Sequence, residues 1–229
     1  MLAVVASRYD RHAEIFVSRC GDRARLLTSD DLSSKGWRFR FGDGGDSSAV
    51  IGAEAVDCKE IEGVLTRLPG VFQGELLRIV PEDRAYVAAE MTAFLAAWLS
   101  NLECPVLNRP TPLCLSGPFL RREMWVHTAA RIGIPVLPVK RSAPAPAEEA
   151  PPPNLTTVSF VGDACVGRVD ERLASQTRAL ARMVGVDLLC ARFTGPAEGQ
   201  LFVDADYWLD LSDAEVADAV LKCLLRGRT

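Results

Sequence analysis

The sequence predicts an α/β protein whose first part forms a parallel sheet and whose second part is built from hairpins and helices. The opening alternates an apolar run, an amphipathic helix and a second apolar run at residues 2–6, 11–19 and 25–28. A β-α-β order of this kind is typical of parallel sheets covered by helices. A Pro/Ala/Glu tract at residues 141–153 lacks apolar side chains that would offset chain entropy, so it predicts a flexible connector.

The N-terminal part continues with elements that follow from alternation, helical spacing and turn residues. We expect, in order, a hairpin, a core strand, a long helix, a short strand and a second helix. They lie at residues 37–41 with 49–51, 61–67, 81–102, 104–107 and 121–132. The stretch GDGGD at 42–46 is followed by neither a helix start nor a Lys-Ser/Thr pair, so it predicts a turn and not a phosphate-binding loop.

The part after the connector is predicted to consist of two hairpins, each followed by a helix. The elements lie at residues 156–161 with 164–167, 170–184, 186–193 with 200–205, and 212–225. Ser212 and Glu215 have the spacing of a capping box, which predicts the start of the last helix.

Composition and charge exclude several classes of function. The chain is 48% hydrophobic and 24% charged with a net charge of −4, which argues against a general nucleic-acid binder. Its seven cysteines show no CxxC spacing and there are only two histidines, which argues against a zinc site. No secretory signal or membrane-length apolar run is visible, so we expect a cytoplasmic protein that binds neither nucleic acid nor membrane.

Four stretches of the first part, taken in order, point to a known family. They are VVASRYDRHAEIFVSRCGDRARLLTSDDL, EGVLTRLPG, EDRAYVAAEMTAFLAAWLSNLECPVLNRP and RREMWVHTAARIGIPVLP. Their shared order resembles the pre-ATP-grasp domain of the ATP-grasp peptide ligases, in particular the microviridin (graspetide) type. The resemblance implies a Rossmann-like parallel sheet domain at the N-terminus, followed by an ATP-grasp C-terminal α+β lobe.

Two further stretches, TVSFVGDACVG and VGVDLLCARFTGPAEGQLFVDADYW, resemble the end of an ATP-grasp fold. The resemblance assigns the metal ligands of that fold to Asp187, Asp204 and Asp206, where they would hold magnesium on ATP phosphates. Asp204 and Asp206 replace the Glu and Asn of the family, although three carboxylates suit the oxygen preference of Mg²⁺. The alternative is that these are remnant acidic positions, with Asp206 capping a loop and Asp187 solvated at a strand start.

Contacts to a nucleotide cofactor are predicted at two basic residues, Lys140 and Arg192. Ligand contacts are predicted at Arg67, Asn108 and Arg109, which follow strands where open α/β sheets bind ligands. These three side chains are suited to a carboxylate or peptide, or they pair with neighbouring acidic groups.

The Pro/Ala/Glu tract stands where the family has a small lobe that grips the nucleotide with lysines. We therefore predict a truncated ATP-grasp lobe and four segments. They are a pre-ATP-grasp-like domain at 1–110, a connecting helix and strand at 111–140, a linker at 141–153 and a remnant C-terminal lobe at 154–229. Only four of the 26 basic residues are lysines, and phosphoryl transfer depends on positioning and electrostatic stabilisation. The chain alone is thus expected to bind ATP poorly.

Three functions stay open at this point. The favoured one is a catalytically degenerate protein that acts as a binding or accessory subunit, with a peptide or an active ATP-grasp ligase as its partner. The second is a trimmed ATP-dependent carboxylate–amine or carboxylate–hydroxyl ligase, whose Mg²⁺ and ATP site a partner or a second protomer completes. The third is a small-molecule-binding or purely structural α/β protein. A homodimer is compatible with each.

Overall fold

A computed structural model describes residues 1–40, 47–139, 154–167, 169–196 and 199–226. The strands are β1 Leu2–Ala6, β2 Ala24–Leu27, β3 Ser48–Ile51, β4 Glu54–Asp57, β5 Gly63–Arg67, β6 Val106–Leu107, β7 Leu155–Val161, β8 Ala164–Val166, β9 Leu188–Thr194 and β10 Phe202–Asp206. The α-helices are α1 Arg11–Cys20, α2 Ser29–Leu32, α3 Arg84–Asn101, α4 Arg122–Arg131, α5 Glu171–Val184 and α6 Ala214–Leu225. The predicted turn at 42–46, the tract at 141–153 and Lys140 lie outside the described residues.

The chain divides into two compact units. The first comprises Met1–Phe119 with Asp210–Thr229, and the second comprises Leu120–Leu209. The second unit ends before α6, whereas the predicted C-terminal lobe continued to the end of the chain. Helix α6 clusters with the first unit because it buries Val216, Val220 and Leu224 there.

The first unit is built on a parallel sheet with strand order β2-β1-β5-β6. The long helix α3 covers one face, where Leu95, Trp98 and Leu99 join a continuous apolar cluster. Helix α6 packs on the other face so closely that a Cβ on Gly63 would lie 2.9 Å from the Leu224 carbonyl oxygen. The predicted parallel α/β sheet is therefore confirmed.

The hairpin in the first unit differs from the prediction. Strand β3 pairs with β4 across a two-residue turn in which Gly52 and Ala53 both have positive φ, 61° and 65°. Within the described part of the predicted strand 37–41, Arg38 forms a single bridge to Ser48. That prediction was wrong because Trp37 turns instead onto α3, where its ring lies 5.1 Å from that of Phe94.

The second unit is an antiparallel sheet with strand order β10-β9-β7-β8. Helix α5 lies on one face, where the Cys165 thiol donates to the Ala174 carbonyl at 3.4 Å. That face carries the apolar side chains of β7 and β9, including Phe160, Leu189 and Phe193, all buried. The predicted α+β character of this part is confirmed.

Helix boundaries mostly agree with the sequence pattern, with two exceptions. Residues 29–32, which lie between two predicted elements, form one helical turn closed by a capping box between Thr28 and Asp31. Helix α6 begins after Asp213, whose carboxylate accepts from the backbone of Glu215, and not after Ser212. Among the described residues, no helix combines the length and apolar character needed to cross a bilayer.

Candidate functional site

The candidate site of the second unit lies on the sheet face opposite α5. Cross-strand pairing sets Asp204 opposite Arg192 and Asp206 opposite Cys190. Residues directly opposite one another in an antiparallel ladder project to the same face. Two of the three predicted metal ligands and the predicted nucleotide-binding arginine therefore share one face of the sheet.

A β-bulge in β10 produces this arrangement. Phe202 pairs with Phe193, whereas the next paired residue, Asp204, stands opposite Arg192. Val203 is thus an extra residue on β10. In a regular ladder Asp204 would project to the same face as Phe202, since side chains alternate with a period of two. The bulge turns Asp204 to the side of Arg192.

Arg192 forms ion pairs with both aspartates. Its Nη2 atom lies 2.7 Å from Asp206 Oδ2 and 3.3 Å from Asp204 Oδ2. The three side chains are between 26% and 29% exposed, so they are partly shielded from water. Burial disfavours the charged guanidinium, but Asp206 and Asp204 outweigh that effect and raise the pKa of Arg192. The site is thus two carboxylates held by one permanent cation.

The remaining carboxylate oxygens also have partners. Asp204 Oδ1 accepts from the Ala205 N–H at 2.8 Å, and Asp206 Oδ1 accepts from the Trp208 N–H at 2.8 Å. The second bond matches the alternative in which Asp206 caps the loop after its strand.

Cys190 lies beside this group and behaves as a packed thiol. It is 5% exposed, and Arg192 Nη1 lies 3.9 Å from its sulfur. Burial raises the pKa of Cys190 to about 11, with a smaller contribution from the charge of Asp206. A thiol with so high a pKa is protonated at neutral pH, so it is a poor nucleophile.

Asp187 is placed differently from the other two aspartates. It immediately precedes β9, its side chain is exposed, and its carbonyl accepts from the Gly162 N–H. No group of three or more His, Cys, Asp or Glu side chains in the described part of the chain is arranged to hold a metal ion. Because Arg192 already occupies the carboxylates of Asp204 and Asp206, these residues as arranged do not fit a magnesium site. The metal assignment stays a prediction.

In the first unit, Arg67 pairs with an acid, as one of the two sequence interpretations expected. Its Nε atom lies 2.8 Å from Asp10 Oδ2, and the two side chains are 5% and 13% exposed. Asp10 is also the N-cap of α1, where it accepts from the backbone of His12 and Ala13. Arg67 therefore ties the end of β5 to the start of α1.

The other two predicted ligand contacts serve the backbone. The buried Asn108 donates from Nδ2 to the Ser116 carbonyl at 3.3 Å. The Arg109 guanidinium lies 3.3 to 3.5 Å from the carbonyl oxygens of Leu99, Leu102 and Cys104, at the C-terminal end of α3. A cation is favourable at a helix C-terminus, so Arg109 caps α3. Binding of a ligand by these residues stays a prediction.

Sequence reasoning missed a polar cluster around Arg8 at the carboxyl edge of the parallel sheet. Arg8 Nη1 lies 2.7 Å from Asp30, and Nη2 donates to Ser29 Oγ at 3.2 Å. The hydrogen bond to Asp30 raises the pKa of Arg8. Glu75, 7% exposed, approaches both Arg8 and Ser29. The available signal was that Arg8 and Ser29 follow adjacent parallel strands.

Comparison with solved structures identifies the fold. The macrocyclase MdnC bound to its precursor peptide MdnA, from Microcystis aeruginosa MRC, superposes with a TM-score of 0.67 and 10% identity over 98% of this chain and 99% of that chain. The RiPP-associated ATP-grasp ligase from Chryseobacterium gregarium, in complex with ADP and leader and core peptide, gives 0.66 and 9% over 100% and 97%. The ATP-grasp ligase PsnB with minimal precursor, Mg and ADP gives 0.63 and 12% over 97% and 98%.

No protein-family model and no curated protein matches the chain. The matches to solved structures extend over nearly the whole of each chain, and they confirm the predicted fold. The chain has the fold of the ATP-grasp peptide ligases.

Proposed function

We propose that this chain is a catalytically degenerate ATP-grasp-like protein that acts as a binding or accessory subunit in peptide modification. The observation behind the proposal is the ion pairing of Arg192 with both Asp204 and Asp206. These are the positions to which the resemblance assigns magnesium. In this chain the positive charge of Arg192 neutralises the two carboxylates, as a bound metal would do.

Electrostatics explain why this arrangement opposes catalysis. Mg²⁺ requires near-octahedral oxygen coordination at about 2.0–2.1 Å, so it would compete with the guanidinium for the carboxylate oxygens of Asp204 and Asp206. Expelling Arg192 would break two ion pairs and leave a partly buried cation without them, which costs free energy. The guanidinium carries one positive charge where a divalent metal would supply two, so it would neutralise less of the charge of the ATP phosphates.

A peptide is the partner that the fold favours. MdnC, PsnB and the Chryseobacterium ligase were each solved with a precursor or with leader and core peptides. A chain that keeps this fold without a working nucleotide site can still bind a peptide. Panning a displayed random peptide library against the purified chain tests this, with fluorescence polarisation of the enriched peptides. Absence of any enriched peptide would favour the small-molecule-binding or structural alternative.

Calorimetric titration tests the degenerate nucleotide site directly. We expect no micromolar binding of Mg-ATP to the wild-type chain, and no manganese binding detectable by electron paramagnetic resonance. Arg192→Gln removes the internal cation and frees both carboxylates, so this variant should gain manganese affinity. Arg182→Gln, an exposed arginine on α5, is the control for the change in net charge. Tight Mg-ATP binding by the wild-type chain would contradict the proposal.

The trimmed ligase is the second candidate, and one observation favours it. Arg192, Asp204 and Asp206 lie together on one sheet face and are each more than a quarter exposed, so an incoming phosphate could compete for the guanidinium. In that case the chain should release ADP when it is supplied with ATP and candidate peptide substrates, with a second protomer completing the site, and Asp204→Ala should abolish that release. An unchanged rate of ADP release would exclude this candidate.

A further inference from the structure

The polar cluster around Arg8 contains a buried carboxylate that its neighbours leave partly unpaired. The Glu75 side chain is 8% exposed, and its Oε2 atom lies 4.0 Å from Arg8 Nε, at the outer limit of an ion pair. Ser29 Oγ lies 3.4 Å from the same oxygen, which is long for a hydrogen bond between two oxygen atoms. Among the residues that the structure describes, no hydrogen bond or ion pair reaches the other oxygen, Oε1. A buried carboxylate is costly unless it is paired and hydrogen-bonded, so Glu75 needs a further donor.

Arg8 does not supply that donor, because its guanidinium is held by other groups. Its Nη1 atom lies 2.7 Å from the half-exposed Asp30, and its Nη2 atom donates to Ser29 Oγ and to the Glu75 carbonyl, both at 3.2 Å. Its Nε atom is buried and has no hydrogen-bond partner in the described part of the chain. One guanidinium therefore faces two carboxylates, those of Asp30 and Glu75, which leaves the cluster with one net negative charge. The donor that Glu75 needs is thus expected to be a cation.

The cluster lies at an edge of the sheet that a ligand can reach. Arg8 follows β1, Ser29 follows β2 and Glu75 follows β5, and open α/β sheets bind ligands at the carboxyl ends of their strands. Two aromatic residues belong to the same segments. Tyr9 is next to Arg8, and the Phe72 carbonyl accepts from the Glu75 N–H at 3.0 Å. Their side chains are 73% and 48% exposed, and exposed aromatic faces attract cations.

An ammonium group fits the cluster better than the other common cations. Mg²⁺ needs several oxygen ligands, and no group of three or more His, Cys, Asp or Glu side chains in the described ranges is arranged to hold a metal ion. A guanidinium is planar and pairs best with two acceptor oxygens at once, whereas Glu75 offers a single one. An ammonium is a compact charge with three donors, which suits Glu75 Oε1 and the exposed Asp30 beside an aromatic face.

We propose that the Arg8 cluster binds the ammonium group of a peptide, which is either a lysine side chain or the N-terminal amine. This inference rests on the proposed function, since that function makes a peptide the partner of the chain. It adds where on the first unit the peptide is held and which of its groups is recognised.

Titration of the isotope-labelled full chain, followed by nuclear magnetic resonance, tests the proposal with three small probes. Nα-acetyl-lysine amide carries only the side-chain ammonium, glycylglycine amide carries only the N-terminal amine, and Nα,Nε-diacetyl-lysine amide carries neither. We expect saturable shifts of the backbone amides of residues 29–30 and 73–75 with at least one charged probe, and no shift of those amides with the neutral one. The charged probe that binds more tightly identifies the source of the ammonium.

Variants of the cluster test which side chains hold the probe. Glu75→Gln removes the charge at nearly the same size and should weaken binding of the charged probe roughly ten- to hundredfold, the range for a hydrogen bond to a charged group. Tyr9→Ala changes a side chain that is 73% exposed, so the chain keeps its fold, and it should weaken binding about two- to fivefold. Glu103→Gln is the control for net charge and should leave the affinity unchanged, because Glu103 is exposed and precedes β6 at the opposite, amino edge of the sheet.

Three results would overturn the proposal. One is that no probe shifts these amides. Another is that charged and neutral probes shift them equally, which would mean that water alone satisfies Glu75 Oε1. The third is that the Glu75→Gln and Tyr9→Ala variants bind the charged probe as tightly as the Glu103→Gln control.

Failure of this inference can be told apart from failure of the proposed function. Library peptides that bind the chain equally well after acetylation of their amines would support peptide binding and contradict recognition of an ammonium group. Binding of a charged probe without any enriched library peptide would support the ammonium site and contradict the proposed peptide-binding function.

Discussion

Replacing Arg192 by methionine should destabilise the chain by about 2 kcal/mol, a value between those of exposed and buried ion pairs. Exposed ion pairs contribute about 0–1 kcal/mol, and breaking a buried pair costs about 3–5 kcal/mol. The side chains of Arg192, Asp204 and Asp206 are about a quarter exposed, which places this site between the two limits. Methionine keeps much of the aliphatic volume, so the change isolates the loss of charge.

A double-mutant cycle in urea unfolding, followed by circular dichroism, measures the interaction. Asp206→Asn alone should cost about 1 kcal/mol because it weakens the 2.7 Å pair and retains a hydrogen-bond acceptor. The combined variant should be less destabilised than the sum of the two single changes by about 1 kcal/mol, since it no longer leaves two carboxylates without their cation. Arg182→Met on α5 controls for net charge and should stay within about 0.5 kcal/mol of the wild type.

Two results would refute this reasoning. One is an Arg192→Met variant as stable as the Arg182→Met control. The other is strict additivity in the cycle, which would mean that Arg192 and Asp206 do not interact in solution.

Three further predictions concern other parts of the chain. Arg109→Ala should lower stability by about 1 kcal/mol, because the C-terminal carbonyls of α3 lose their cation, and thermal unfolding measures this; no loss would leave Arg109 free for a ligand. Gly63→Ala should cost about 1–3 kcal/mol in urea unfolding because its Cβ meets the Leu224 carbonyl, whereas Gly74→Ala, with open space around it, should cost less. Burial raises the pKa of the Cys190 thiol from 9.0 to about 11. The unfolded chain therefore loses this proton at a lower pH than the folded chain, so the stabilising contribution of the thiol is full below pH 9 and is lost as the pH rises to about 11. Urea unfolding from pH 8 to 11 measures this loss of stability, and Cys190→Ala should reduce the loss by up to about 3 kcal/mol. An unchanged pH profile would show that the thiol is not buried.

Most of the fold could be predicted because its signals are local. The β-α-β opening and the helical spacing of α3 and α5 each depend on residues close in sequence, and the structure places these elements within a few residues of the expected bounds. The hairpin β3–β4 could not be predicted in the same way. Its turn uses Ala53 at positive φ, which few non-glycine residues adopt, and the Ala53 N–H donates at 2.7 Å to the carboxylate of Asp31, twenty-two residues earlier.

The candidate site was only partly accessible from the sequence. The resemblance located Arg192, Asp204 and Asp206 as functional positions but could not show that they bind one another. Pairing between β9 and β10 depends on register, and a shift of one residue reverses the face of every side chain. The roles of Arg67 and Arg109 could not be predicted either. Asp10, the partner of Arg67, lies 57 residues earlier in the sequence. Arg109 contacts backbone carbonyls, which every residue carries and which therefore give no sequence signal.

The bulge at Val203 follows from a conflict within the sequence FVDAD. In a regular strand Phe202, Asp204 and Asp206 would share one face, so either the phenylalanine would be exposed or both carboxylates would be buried with it. Phe202 is fully buried, with its ring 5.6 Å from that of Phe193. Burying an unpaired carboxylate there would cost far more than one interrupted ladder bond. The extra residue resolves the conflict, and it sets both aspartates against Arg192, the only arginine on β9. Burial of Phe202 in the core therefore sets both aspartates beside Arg192. That pairing in turn determines whether the carboxylates on this face of the sheet are available to a metal.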